Sequence, residues 1–199
     1  MSEPPDEEIR QIVQRVLNRS IGLSQPGYSQ SKAPAESEPL PKSEPRPAER
    51  KVVAIGADHG GFELKEILKA ELVAGGYVFI DVGTSSKEPV DYPDFAHEVA
   101  KLVSAGKAWR GIIIDGAGIG SCIAANKVPG VRAGMAYDYS SAVNSREHND
   151  ANVLTLGAGL IGVNLAKQIV NIWLATPFGG GRHERRIQKI AAIEKQYLK

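Results

Sequence analysis

The chain has 199 residues, 42% of them hydrophobic and 24% charged, with 24 Lys and Arg against 23 Asp and Glu. That size and apolar fraction suit one compact domain with a short appendage. A net charge of +1 gives no electrostatic reason to expect nucleic acid or an anionic membrane as partner, and no apolar run approaches the roughly 18 residues of a spanning helix. The single cysteine, Cys122, excludes an internal disulfide framework and fits a reducing, cytoplasmic setting.

The first 50 residues hold 8 of the 12 prolines and only 2 of the 21 glycines. Within residues 1–23, the apolar Ile9, Ile12, Val13, Val16 and Leu17 recur at helical spacing, behind the acidic cluster Asp6, Glu7 and Glu8. This predicts a short amphipathic helix, marginal alone in water, that folds against a surface. That surface is either its own domain or sister subunit, or another protein for which residues 1–20 are a tethered docking peptide. Residues 24–50 carry almost no large apolar side chains and read as a disordered Pro-rich linker.

From Lys51 onward strand and helix patterns alternate. Strands are expected at Val52–Ile55, Tyr77–Asp81, Gly111–Ile114, Val131–Met135 and Asn152–Leu156. Helices are expected at Phe62–Ala74, Asp94–Ala105, Ser121–Asn126, Tyr139–Glu147, Gly162–Leu174 and about Arg182–Tyr197. The runs VVAI and GIII lack polar alternation, as strands covered on both faces do. The pattern predicts an α/β domain with a five-stranded open parallel sheet, whose ligands bind beyond the carboxyl ends of the strands.

The strand ends and helix starts carry the chemistry. Asp58 and His59 lie on a glycine-rich turn after the first strand, where both can exchange protons; the plainer reading has Asp58 capping a helix. After the third strand, Asp115 precedes Gly116, Ala117, Gly118, Ile119 and Gly120, whose close-approaching backbone suits an anion or a developing oxyanion. The spacing lacks the third glycine of a dinucleotide fingerprint, so nicotinamide is not expected. His148 and Asn149 stand before the fifth strand. Arg182 and Arg186, four apart near a helix start, oppose the helix dipole unless an anion such as phosphate lies between them. Cys122 reads as a packing residue.

The segments IGADHGGFELK, DYPDFAHEVA, IAANKVPGVRA, SREHNDANVL and GGGRHERR resemble the ribose-5-phosphate isomerase B family, which includes the galactose-6-phosphate isomerase subunits. The resemblance covers residues 51–199. It implies a Rossmann-like three-layer sandwich and metal-free, cofactor-free aldose–ketose isomerisation of a sugar phosphate through an enediolate. The active site would be shared within a homodimer, alone or as a dimer of dimers. It assigns Asp58 and His148 to ring opening, and His59, Arg182 and Arg186 to the phosphate. The backbone amides of Gly116 to Gly120 would hold the enediolate, and Asn149 a hydroxyl. Family members carry a cysteine base where Asp115 stands, or a glutamate where Ser121 stands. Their loop hydroxyl is Ala117 here, and an arginine common after the fifth strand is replaced by Gly159. Asp115 is therefore expected to be the base, with ribose 5-phosphate the first substrate to try. A non-catalytic sugar-phosphate binder and an isomerase of a C4 or C6 sugar phosphate are the alternatives. The amphipathic helix with its Pro-rich linker resembles the encapsulation peptides that bring enzymes into bacterial microcompartments, which makes a shell protein the expected partner of residues 1–20.

Overall fold

The two uninterrupted apolar runs form the centre of the sheet. β1 (Val52–Ala57) and β3 (Arg110–Asp115) are flanked by β2 (Val78–Asp81) on one side and by β5 (Val153–Gly157) and then β4 (Ala133–Met135) on the other. All four strand pairings are parallel, giving the order β2-β1-β3-β5-β4. This architecture comes from a computed structural model that describes residues 51–198. The expected N-terminal helix (1–23) and linker (24–50) lie outside the described residues.

The helices α1 (Phe62–Ala74), α2 (Tyr92–Ser104), α3 (Ile119–Ala125), α4 (Tyr139–Glu147), α5 (Val163–Ala175) and α6 (Glu184–Tyr197) return the chain between strands and close the domain. Successive strand residues face opposite sides, so each central strand feeds two cores. Val53, Ile55, Ile112, Ile114, Leu154 and Leu156 pack under Leu64, Leu68 and Leu72 of α1 and Ile169, Val170 and Trp173 of α5. Ala54, Ile113 and Val153 face Ala96, Val99, Ala100 and Val103 of α2 and Ala125 of α3. This is the expected three-layer sandwich. Among the described residues, no helix is long and apolar enough to cross a membrane.

Boundaries differ from the sequence expectation where local hydrogen bonds intervene. β4 begins at Ala133 rather than Val131. The Val131 amide closes a turn onto the Val128 carbonyl (3.1 Å), and the Arg132 amide is taken by Asn152 Oδ1 (2.7 Å). The outer edge of β4 is capped by one side chain: Asn126 Oδ1 accepts from the Ala133 amide (2.9 Å) and its Nδ2 donates to the Ala133 carbonyl (3.0 Å). α2 starts at Tyr92, because Pro93 in the first turn needs no hydrogen-bond acceptor there. The last helix opens as a 3-10 turn, Gly181–His183, before α6.

Arg110 is buried at the base of β3. Its guanidinium donates to the carbonyls of Trp173 (2.6 Å), Leu174 (3.0 Å) and Thr176 (3.1 Å), which end α5 without intrahelical partners. It lies 4.0 Å from the ring centroid of Trp109 and 5.0 Å from that of Trp173. Burial, with a smaller push from the neighbouring Arg146 charge, lowers its pKa to about 10, so it stays charged. Arg110→Ala is expected to destabilise the domain by about 3 kcal/mol, since the buried carbonyls of Trp173 and Leu174 lose their donor while that of Thr176 keeps Arg146 Nε (3.3 Å). Urea unfolding measures this, and Arg110→Lys, unable to fork across three carbonyls or stack, recovers little of it.

Candidate active site

In this sheet the chain leaves β1 towards β2 and leaves β3 towards β5 and β4, so the crevice between the carboxyl ends of β1 and β3 is where the winding reverses. Two loops meet there. The turn after β1 lies directly on β3: a Cβ on Gly61 would sit 2.2 Å from the Ile114 carbonyl oxygen, and the Asp58 amide donates to that carbonyl (3.3 Å). Asp58 is 7% exposed; its Oδ1 accepts from the Gly61 amide (3.0 Å), and Oδ2 has no hydrogen-bond partner among the described residues. Asp58 thus ties the turn to the Gly61 amide without being the cap residue of α1, which is Gly61 itself. His59 is exposed, with its Nδ1 accepting from the Val90 amide (3.2 Å). Gly60 places the turn against the second loop, where a Cβ would lie 3.3 Å from the Gly116 nitrogen, while the space over Gly116 is open.

The second loop is organised by Asp115. Its Oδ1 accepts from the Ala117 amide (2.8 Å) and the Gly118 amide, and its Oδ2 from the Ser121 amide (3.1 Å) and the Ser121 hydroxyl. Each carboxylate oxygen accommodates about two donors, so all of its lone-pair positions are filled. Asp115 is 5% exposed and Ser121 is fully buried. Gly118, at φ 78, permits the turn that brings these amides inward. The expectation that every amide from Gly116 to Gly120 faces a ligand needs correcting here: those of Ala117 and Gly118 are committed to Asp115. The Ile119 and Gly120 amides, at the start of α3, donate to no group among the described residues.

Tyr92 covers this loop, since a Cβ on Gly120 would fall 2.5 Å from its ring. Sequence reasoning passed over Tyr92, although its place at the start of α2 aims the ring at the crevice. Gly159 donates its amide to the Gly116 carbonyl (2.9 Å), and a Cβ there would press on the same oxygen at 3.0 Å. Cys122 is half-buried, with Sγ 3.4 Å from the Ala133 carbonyl, which agrees with a packing role.

The remaining site residues lie at the other end of the sheet. His148 and Asn149 fall between the end of α4 and the start of β5, and the Gly179 amide, bonded to the Glu147 carbonyl (2.9 Å), pins the segment before α6 beside them. Asn144 Nδ2 donates to His148 Nδ1 (2.8 Å), and Asn144 Oδ1 accepts from Asn149 (3.2 Å). The two bonds orient the Asn144 amide consistently and put the His148 proton on Nε2. Sequence reasoning missed Asn144; its signal was the spacing of four from His148 on one helix face. Asp150 adopts φ 45 and bonds both Arg132 and Arg146 (2.8 Å each), which fixes the turn. The His148 and His183 rings stack, with centroids 4.2 Å apart and 5° between planes. Burial and the positive charges of His148, Arg182 and Arg186 hold the His183 imidazole below its ordinary pKa, Glu147 opposing them. Arg182 and Arg186 are exposed. A groove of about 750 Å³ also opens at this end, between Val131–Ala133 and the exposed Ile190, Ile193 and Tyr197 of α6, with Asn149 in its lining.

One chain thus unites Asp58, His59, Asp115 and the glycine loop, and separately unites His148, Asn149 and the Arg182–Arg186 turn. A strand's length, roughly 16 Å for five residues, separates the two sets. Among the described residues, no three His, Cys, Asp or Glu side chains gather as a metal ion would require.

Residues 53–190 match the family described as Ribose/Galactose Isomerase. The chain is 47% identical over 146 residues to ribose-5-phosphate isomerase B of Escherichia coli (strain K12), covering 73% of this chain and 98% of that protein. It is 40% identical over 146 residues to D-erythrulose-4-phosphate isomerase of Pectobacterium atrosepticum, covering 72% and 95%. Among solved structures, ribose-5-phosphate isomerase B of Clostridium thermocellum superimposes with a TM-score of 0.73 at 50% identity, covering 74% of this chain and 99% of that one. With the five-stranded parallel sheet and the two loops at its switch point, these likenesses place the chain in the ribose/galactose isomerase family.

Proposed function

We propose that this chain is an aldose–ketose isomerase acting on a sugar phosphate, with ribose 5-phosphate and ribulose 5-phosphate as its pair, at a site completed by a second copy. The observation that carries this reading is the placement of two complementary half-sites at opposite ends of one parallel sheet. One offers carboxylates and free loop amides, the other a proton-bearing histidine beside arginines. Neither suffices alone. The half-exposed apolar face of α6, none of whose side chains is buried, supports a partner packed at this end.

In this reading the phosphate is gripped by His59 with Arg182 and Arg186 of the partner subunit. The partner subunit's His148 polarises the bond from C1 to the furanose ring oxygen through its Nε2–H hydrogen bond to that oxygen, the free oxygen of Asp58 takes the proton of the C1 hydroxyl, and that proton then passes to the departing ring oxygen. The bond from C1 to the ring oxygen breaks and C1 becomes an aldehyde. A base then removes the C2 proton, and the electron pair moves through C1–C2 to the carbonyl oxygen. The free amides of Ile119 and Gly120 stabilise the enediolate. Return of the proton to C1, with the O2 proton passing to O1, gives the ketose. Asn149 of the partner subunit contacts a substrate hydroxyl.

Asp115 stands at the position of the base, but its oxygens are full. The Ser121 hydroxyl is the one donor of the four that can rotate away, and its departure would free a lone pair on Oδ2. Ser121→Ala should then keep turnover within about tenfold. Asp115→Asn should lose at least about 10²-fold, and also about 2 kcal/mol of stability, because an amide nitrogen would face loop N–H groups. NMR in heavy water with C4, C5 and C6 sugar phosphates reads both turnover and substrate. Conversion of a C4 phosphate alone would favour the activity named for the Pectobacterium relative, and binding without exchange would leave a non-catalytic binder. Mixing inactive Asp58→Asn and His148→Gln proteins should restore about a quarter of wild-type activity, since half of the reassorted dimers hold one intact site. No recovery would overturn the shared site.

Residues 1–20 are proposed to dock the enzyme, in the cytoplasm, to a larger assembly such as a microcompartment shell, on the strength of their apolar stripe and the polar linker behind it. Deleting them should leave turnover intact and abolish co-purification with that assembly. Loss of the dimer instead would assign the helix to the chain's own interface.

A further inference from the structure

We propose that His183 is a positioning residue for ring opening: its imidazole clamps the ring of His148 in the plane that presents the Nε2 proton to the sugar. This rests on the reading of His148 as the hydrogen-bond donor in ring opening.

His148 is held at one edge by the single bond from Asn144 Nδ2 to Nδ1. One such bond leaves the ring free to tilt about it, because the terminal torsion of histidine is broad. The parallel ring of His183, 4.2 Å away, removes that freedom. His183 is itself tethered: Arg182 Nε donates to its Nε2 (3.3 Å), which makes Nε2 an acceptor and the ring neutral. Its lowered pKa agrees, since burial, the charge His148 carries when protonated and those of Arg182 and Arg186 outweigh Glu147. With Nδ1 accepting from Asn144 and one proton on Nε2, His148 is neutral as His183 is, and two neutral parallel rings stack without charge repulsion. The backbone is built for the contact. Gly180 and Gly181, at φ 59 and 55, reverse the chain so that His183 returns over the end of α4, and the bond from Gly179 to Glu147 anchors the reversal. The clamp also joins Arg182, assigned to the phosphate, to His148 in one row of contacts.

The test separates ring opening from the later steps. Ribose 5-phosphate is a furanose and must open. Ribulose 5-phosphate is open-chain, and exchange of its C1 proton with heavy water needs the base and the enediolate but no ring opening. His183→Ala is expected to lower kcat on ribose 5-phosphate about 10- to 100-fold, with KM within about twofold and the exchange rate on ribulose 5-phosphate unchanged. His183→Phe, which keeps a flat stacking face, should recover most of the loss. Wild-type kcat in the alanine variant, an equal fall in exchange, a change confined to KM, or a phenylalanine variant as slow as alanine would each overturn the clamp. Failure of the isomerase reading is distinct: wild-type protein would then neither convert nor exchange any sugar phosphate.

Discussion

A parallel sheet sorts the chain by direction. Every loop that leaves a strand lies at one edge, and every loop that enters one lies at the other. In this domain that constraint distributes the chemistry. Asp58, His59 and the glycine loop follow strands, whereas His148, Asn149 and the arginine turn follow helices. No bending of side chains closes a gap of roughly 16 Å across five strand residues. The fold therefore holds the two sets of side chains at opposite ends of one chain, which is the observation on which the proposal of a site completed by a second copy rests.

Asp115 shows how one carboxylate serves two demands that compete. Four donors around a nearly buried anion give a rigid, pre-formed loop without any ligand. The same saturation withdraws two amides from substrate and leaves no lone pair for a proton. A cysteine in that slot would leave those amides to find other partners. The aspartate and the Ser121 hydroxyl make sense together, since each completes the other's hydrogen bonding. Under the proposed mechanism, catalysis and loop order would be coupled through a single rotatable hydroxyl.

The layers of the fold were legible because burial writes itself into periodicity. The uninterrupted VVAI and GIII gave the central strands, and Leu64, Leu68 and Leu72 gave the inner face of α1. The place of Asp58, His59 and the glycine loop at strand ends was legible because glycine-rich turns follow the apolar runs directly. Partnerships between side chain and backbone were not. The saturation of Asp115 depends on the left-handed turn at Gly118, and His183 cannot be tied to His148 without knowing how α4 meets the segment after α5. Arg146 and Asp150 sit inside a motif with His148 and Asn149, yet the structure gives them to the scaffold. A motif marks which residues travel together, not which of them touch the ligand.

The single asparagine on the margin of β4 has a consequence for solubility. A strand at the border of a sheet ordinarily leaves unpaired backbone groups that invite another chain to zip on. Asn126 fills the Ala133 positions with its own amide, imitating a neighbouring strand that is not there. At three residues, β4 has little else to offer. Strand addition at this border is therefore blocked at its first rung, which leaves β2 as the sheet's one edge without such a side-chain cap among the described residues.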